Sequence, residues 1–254
     1  MNVKIFNSDV IKGLNKIENN SIDLVFIDPP YNLGKNYKET SDSWKSDEEY
    51  LEWCYKWLEL SIKKLKPNGS LYFMSSTQYM AYFDIFLRNK MHILSRIIWE
   101  YDSSGVQAKK HFGSLYEPIL FAVMKKNNYT FNYKEIMVET KTGAQRKLID
   151  YRKNPPAPYN KLKVPGNVWY FPRVRYRMKE YVEHPSQKPE SLLERIIKVS
   201  TNENDIVLDL FAGSFSLGMV CKRLNREYIG IEKSKEYCKI GKKRLFVKDN
   251  IKLD

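Results

Sequence analysis

The chain has 254 residues, 43% of them hydrophobic, and a formal net charge of +13 at pH 7. That length suits one large domain with an ordinary core and a small insertion, and the apolar content argues against intrinsic disorder. The excess positive charge favours a polyanionic partner, nucleic acid first, although a generic basic surface carries the same sign.

Taken in chain order, apolar runs alternate between strand and helix character. Val3 to Phe6 predicts a short strand and the residues through about Asn15 a helix, with Asp9 between them. Ile22 to Ile27 is an apolar run that stops at Asp28-Pro29-Pro30-Tyr31, where two prolines force the chain out of any sheet. A Trp-rich amphipathic segment from Asp47 to Leu65 ends at Pro67-Asn68-Gly69, a stop signal. Strands are predicted at Ser70 to Met74, Ile93 to Trp99 and Ile119 to Met124, and a helix near Tyr79 to Leu87. A helix from Pro189 to Ser200 then leads to the buried-strand signature Ile206 to Leu210, a Gly-containing turn, a helix, a strand at Tyr228 to Ile231 and a last helix near Lys235 to Leu245. Strands alternating with helices predict an α/β fold with a mainly parallel sheet covered on both faces.

Between these halves the composition shifts. Lys141 to Glu180 holds eleven Lys/Arg against two acids, with five prolines and six aromatics. Basic and aromatic residues on a stiffened loop meet both phosphates and unstacked bases. The sequence Trp169-Tyr170-Phe171 favours this reading over a solvated linker. Candidate DNA contacts are Lys109, Lys110, Arg146, Arg152, Lys153, Tyr159, Lys161, Arg173, Arg175 and Arg177.

Cys54, Cys221 and Cys238 form no CxxC pair, the opening MNVKIFNSDV lacks a signal-peptide h-region, and no apolar run approaches a membrane span. A reduced cytoplasmic protein with no membrane partner is therefore expected. Three scattered histidines, His92, His111 and His184, make no metal site, so no metal is expected.

Two motifs carry chemistry. The exocyclic amine of adenine is a poor nucleophile because its lone pair is conjugated with the ring. A catalyst must accept hydrogen bonds from that NH2 so that the nitrogen turns tetrahedral. Asp28 supplies one charged acceptor, the Pro29 carbonyl a second held rigid by Pro30, and Tyr31 an aromatic face for a flipped base. Asp-Pro after a strand is also an ordinary turn signal, but that does not explain the whole tetrapeptide. The second motif is the turn Asp209-Leu210-Phe211-Ala212-Gly213-Ser214, with Glu232 lying 19 residues beyond Gly213. Small residues there let a cofactor approach the backbone, and an acid about 20 residues on binds ribose hydroxyls. The absence of G-x-G-x-x-G disfavours a pyrophosphate cofactor; S-adenosylmethionine, with a ribose and adenine but no phosphate, suits the looser turn. Asp9 is placed to bind the cofactor's adenine or to cap a helix. Lys188, in His184-Pro185-Ser186-Gln187-Lys188-Pro189, is placed to reach the cofactor's carboxylate, or the segment simply starts a helix.

DPPY at 28–31, the basic insertion, HPSQKP at 184–189 and FAGSF at 211–215 resemble, in order and spacing, the β-group of DNA amino-methyltransferases. The stretches 101–120 and 149–176 also resemble orphan adenine methyltransferases of enterobacteria. The resemblance implies a circularly permuted Rossmann-like methyltransferase fold with a mixed seven-stranded sheet. It divides the chain into a catalytic half (1–126), an inserted target-recognition region (127–183) and a cofactor-binding half (184–254). It also implies chemistry by Asp28 to Tyr31 and a cofactor pocket lined by Asp9, Asp28, His184, Ser186, Lys188, Asp209, Phe211, Ala212, Gly213, Ser214 and Glu232. The expected reaction is methyl transfer from S-adenosylmethionine to the N6 of a flipped adenine in double-stranded DNA, leaving S-adenosylhomocysteine, in the bacterial cytoplasm at the nucleoid. The rivals are cytosine-N4 transfer on the same fold and an inactive DNA-binding protein; in the resembled family Ser tends to replace the motif's Asp in cytosine enzymes. A homodimer is common in that family. Two departures stand out, Ser186 for Thr and Phe215 for the second Gly of the turn, and Phe215 is expected to narrow the cofactor entrance.

Overall fold

The run Ile22–Ile27 forms the middle of the sheet because it is apolar on both faces. Val25 and Ile27 pack into one core with Tyr50, Trp57 and Phe83, while Leu24 and Phe26 pack into the other with Leu192, Ile196 and Val220. Alternate side chains of a strand point to opposite faces, so a strand covered on both sides reads as continuously apolar.

The structure, a computed structural model, describes residues 2–37, 40–103 and 109–246. Met1, residues 38–39, residues 104–108 of the 101–120 stretch and residues 247–254 of the expected cofactor half lie outside the described residues. The main sheet contains β1 (Val3–Asn7), β2 (Ile22–Ile27), β3 (Leu65–Met74), β4 (His92–Glu100), β5 (Tyr116–Val123), β6 (Val168–Tyr170), β7 (Ile206–Asp209) and β8 (Glu227–Glu232). Their spatial order is β1-β8-β7-β2-β3-β5-β4-β6. All neighbours are parallel except those of β5, which is antiparallel to β3 and to β4. Helices α1 (Val10–Leu14), α2 (Asp47–Lys64) and α3 (Met80–Arg88) cover one face; α4 (Glu190–Ser200), α5 (Ser216–Arg223) and α6 (Lys235–Phe246) cover the other.

From the central pair β2 and β7 the chain crosses in opposite directions, to β3 through α2 and to β8 through α5. Ligands of open α/β sheets bind beyond the carboxyl ends of strands at such a reversal. Helix α2 is well specified: Ser46 caps it by accepting from the Glu49 amide (3.2 Å), three acids occupy its first turn and Lys63 and Lys64 its last, each matching the helix dipole. Its buried face includes Trp57, which is fully inaccessible and contributes roughly 2–3 kcal/mol by burial.

Among the described residues the sheet has eight strands where seven were expected, because the insertion returns one. Val168–Tyr170 pairs in parallel with Ile98–Glu100. Trp169 is 6% exposed, its indole donates to the Gly166 carbonyl (2.8 Å), and Arg195 lies over Trp169 and Phe171 at 5.1 and 4.5 Å. Trp99 in turn donates to the Phe171 carbonyl (2.9 Å). Trp169 and Phe171 thus serve the core, and only Tyr170, 60% exposed, keeps the outward position expected of all three. The rest of the insertion folds as nested antiparallel ribbons, Val138–Glu139 with Leu162–Lys163 and Ile149–Asp150 with Ala157–Pro158.

Replacing Trp169 by Ala is expected to destabilise the protein by about 3 kcal/mol. Amide exchange should quicken first in residues 165–172; a variant with unchanged denaturation midpoint and exchange would contradict this anchoring.

Candidate active site

The carboxyl ends of β2, β7 and β8 open into a cavity of about 310 Å³. Its walls include Asp9 after β1, Asp28 to Pro30 after β2, His184 and Ser186, Phe211 and Gly213 after β7, and Glu232 at the end of β8. The sequence-predicted residues thereby meet from both ends of the chain.

At the Asp28 side, Pro30 and Tyr31 turn the chain away from the sheet. Tyr50 of α2 donates to the Pro30 carbonyl (2.8 Å) and fixes the turn. Asn32 follows with φ of 55°, a left-handed conformation that Asn tolerates better than most residues. Asp42, fully buried, accepts from the amides of Asn32 (2.5 Å) and Leu33 (3.2 Å); burial raises its carboxyl above the ordinary range against those bonds.

Three polar side chains, Lys188, Glu117 and Ser186, cluster around Asp28 and Tyr31 of the motif. The Lys188 ammonium lies 2.7 Å from Asp28 Oδ2 and 3.6 Å from Glu117 Oε2, and it also donates to Ser186 Oγ (3.1 Å). Tyr31 donates to Asp28 Oδ1 at 2.6 Å and contacts Glu117 Oε2 at 3.1 Å. Burial would lower the Lys188 ammonium, but the Asp28 and Glu117 carboxylates outweigh it and raise it. Burial and then the same two carboxylates push the Tyr31 phenol well up. Both groups therefore keep their protons at neutral pH. Tyr31 is 6% exposed with Lys188 5.6 Å from its ring centre, so the open aromatic face expected of it is not offered. Its hydroxyl instead holds Asp28.

At the cofactor-motif side, Gly213 has φ of 47° and a Cβ there would stand 2.8 Å from His184 Nε2, so this glycine is required both conformationally and sterically. Its amide donates to Glu232 Oε2 (2.8 Å), and the Ser234 amide donates to Oε1 (2.7 Å). Asp9 caps α1 by accepting from the Ile11 amide (2.9 Å) and also lines the cavity, so both roles proposed for it are compatible. Lys188, Asp209, Ala212 and Ser214 do not line it. Lys188 is drawn to Asp28. Asp209 is buried behind the wall, accepting from the Tyr228 hydroxyl (3.0 Å), its carboxyl pushed up to about 7 by burial and by Asp28 and Glu232. Ser214 pairs with Ser216 (3.1 Å). Phe215 does not narrow the entrance: it is fully buried with φ of 61°, and its ring packs against Gly241 in the core.

Tyr37, Trp44, Trp53 and Tyr237 also line the cavity; sequence reasoning missed them, as it missed Glu117. Trp53 belongs to the Trp-rich segment, whose periodicity marked it as core. Glu117 sits at the start of the antiparallel strand, and its value comes only from pairing across the sheet.

Of the expected DNA contacts, Lys109, Lys110, Arg146, Arg152, Lys161, Arg173, Arg175 and Arg177 are exposed. Arg173 lies 5.1 Å from the Tyr101 ring and Arg175 donates to the Asp102 carbonyl (3.3 Å), which brings both to the Glu117 edge. Arg152 is engaged by both oxygens of Asp150 (2.8 and 3.1 Å), and Lys153 donates to the Pro158 carbonyl and Asn160. With Tyr159, on which Arg152 stacks at 5.8 Å, they brace the ribbon. Among the described residues, no helix is long and apolar enough to cross a membrane.

Comparison with known proteins agrees with this geometry. Residues 22–243 match a family model described as DNA methylase. The chain is 55% identical to DNA adenine methyltransferase YhdJ of Escherichia coli (strain K12), covering 96% of this chain and 82% of that protein. It is 39% identical to type II methyltransferase M.HpaI of Haemophilus parainfluenzae, covering 96% and 74%. Among solved structures, the M1.HpyAVI–SAM complex superposes with a TM-score of 0.67 at 25% identity, over 96% of this chain and all of that one. The cytosine-N4-specific PvuII DNA methyltransferase superposes at 0.75 with 18% identity, over 99% and 88%, and bears on the fold alone.

Burial lowers the His184 imidazole to about 4, with nearby Lys188 adding to the effect. A histidine lowered in this way stays neutral in the fold while the unfolded chain binds a proton below about pH 6.5. Its contribution, up to about 3 kcal/mol, is therefore complete above pH 6.5 and lost as pH falls towards 4. Urea midpoints of the wild type should fall more steeply over that window than those of His184→Asn; parallel slopes would remove His184 as the cause.

Proposed function

Because the chain belongs to the DNA methylase family, we propose that this cavity and the Asp28 cluster together methylate DNA at the N6 amine of adenine. The observation that carries the reading is the meeting of Asp28 and Glu232 in one cavity, at the carboxyl ends of strands from opposite ends of the chain. The 55% identity to an adenine methyltransferase supports adenine as the base, and Asp at the motif's first position agrees with it.

The cavity fits S-adenosylmethionine chemically. Glu232 and Asp9 are acceptors for ribose hydroxyls and an adenine amine, Phe211 and Trp53 offer apolar walls, and Gly213 gives close backbone approach. When bound, that cofactor supplies a methyl group activated by its sulfonium. Asp28 accepts one hydrogen bond from the target amine and the Pro29 carbonyl the other, which draws the nitrogen lone pair out of conjugation. Tyr31 and Lys188 orient the carboxylate. Holding amine and methyl donor in line removes much of the entropic barrier, and no covalent enzyme intermediate is needed. His184 and Ser186 line the cofactor side of the pocket.

The target adenine reaches Asp28 by leaving the stack of duplex DNA. The insertion at 127–183 acts as the target-recognition region, with Arg173 and Arg175 nearest the cleft and Arg177, Lys109, Lys110, Arg146 and Lys161 exposed for phosphates. On this reading the protein works in the bacterial cytoplasm, at the nucleoid. A homodimer rests on the family resemblance alone.

Replacing Asp28 by Ala should reduce methyl transfer by at least about 10³-fold and leave the calorimetric affinity for S-adenosylmethionine within a few-fold. A variant that keeps near-normal transfer would remove Asp28 from the chemistry.

A further inference from the structure

Methylation of an amine creates a proton that must go somewhere, and the cluster beside Asp28 contains more than that reaction step uses. Glu117 does not line the cavity. Its Oε2 lies 3.1 Å from the Tyr31 hydroxyl, which also donates to Asp28 Oδ1 at 2.6 Å. A phenol hydroxyl has one hydrogen and two lone pairs, so it can give its hydrogen to one carboxylate while accepting a proton from the other.

We propose that Asp28, Tyr31 and Glu117 form a proton relay that carries the proton lost from N6 to Glu117. The proposal rests on the reading that Asp28 receives the target amine. In the transfer step the N6 lone pair forms the new N–CH3 bond while the methyl's bond to sulfur breaks, its electron pair staying on sulfur. The nitrogen then bears a positive charge and two hydrogens. One leaves as a proton to Asp28 Oδ1, and N6-methyladenine is neutral. Asp28 then passes a proton to the Tyr31 oxygen as the Tyr31 hydrogen moves to Glu117 Oε2. Asp28 is again ionised, Tyr31 is again a phenol, and Glu117 carries the proton.

Electrostatics favours this direction. Lys188 lies 2.7 Å from Asp28 but 3.6 Å from Glu117, and Coulomb attraction falls with distance. The ammonium therefore favours leaving the negative charge on Asp28 and the proton on Glu117. A flipped base would also cover Asp28, whereas Glu117 sits at the β4–β5 edge beside exposed Tyr116 and is 18% exposed itself. The 3.1 Å contact is long for O–H···O, and catalytic contacts of this kind tighten in the loaded complex. The other charged or titratable groups near the relay include Tyr101 just after β4 with Arg173 packed on its ring, Tyr37 and His184 across Lys188, and Asp209 behind Asp28.

The test is single-turnover methylation of unmethylated duplex DNA across pH, using wild type, Glu117→Gln, Glu117→Asp, Tyr31→Phe, Glu117→Gln/Tyr31→Phe and Asp28→Ala. Glu117→Gln keeps the shape but cannot take the proton. It should slow the transfer step about tenfold or more and alter the acid limb of the pH–rate profile, with cofactor and DNA affinities unchanged. Glu117→Asp should restore part of the rate. Because Tyr31→Phe cuts the same path, the double variant should be no slower than the slower single one; this comparison also serves if Glu117→Gln alone folds poorly, since Tyr31→Phe then reports by its pH profile. Wild-type rate and profile in Glu117→Gln, or multiplying losses in the double variant, would overturn the relay. An inactive Asp28→Ala beside an unaffected Glu117→Gln would leave the Asp28 reading standing and the relay refuted, whereas an active Asp28→Ala would refute the reading beneath it.

Discussion

A carboxylate placed at the end of a buried strand must be held against its own hydration, and the arrangement around Asp28 is organised by that need. Pro29 and Pro30 stop the central strand, so Asp28 emerges at the rim of the sheet instead of pairing within it. Lys188 and Tyr31 then replace the water that an exposed carboxylate would bind, with contacts of 2.7 and 2.6 Å. The lysine comes from the segment before α4, more than 150 residues away in sequence. A buried ion pair of this kind is weak evidence for stability; its value here is that the Asp28 carboxylate is fixed in direction in an enclosed site.

The permuted order of motifs follows from the same sheet. β2 and β7 are adjacent parallel strands, with Asp209 in register with Phe26, so the chemistry of one and the turn of the other open into one cleft regardless of which comes first in the chain. The residues behind the cleft have different work. Asp209 and Ser214 stiffen the turn from within the core, and Phe215 accepts a left-handed backbone to fill space against Gly241. Such strain costs about 1–3 kcal/mol, and burial of the whole ring offsets it.

Much of this was legible in the sequence, for identifiable reasons. Strands buried on both faces and helices with caps carry their signals locally, so β2, β7, α2 and α4 lay close to where they were expected. DPPY and the Gly213 turn combine conformational and chemical constraints in a few adjacent residues, which is why Asp28, Gly213 and Glu232 stood out. The remainder depends on pairing across the sheet. Trp169 reads as a base-stacking residue until its strand is seen against Ile98–Glu100. Glu117 reads as an ordinary strand residue until the antiparallel direction of β5 brings it to Tyr31. Arg152 and Lys153 read only as cations, and their engagement by Asp150 and the Pro158 carbonyl shows only once the ribbon is paired. Charge composition marks a cation-rich region but does not separate the residues that brace it from those that face solvent.

The central claim, that this fold methylates adenine N6 through Asp28, is tested most directly by mass spectrometry of nucleosides. Unmethylated duplex DNA would be incubated with the purified full-length protein and S-adenosylmethionine carrying a labelled methyl group, with the Asp28→Ala protein in parallel. The account predicts labelled N6-methyladenine with the wild type and none with the variant. Labelled N4-methylcytosine in its place, or equal N6-methyladenine from both proteins, would contradict it.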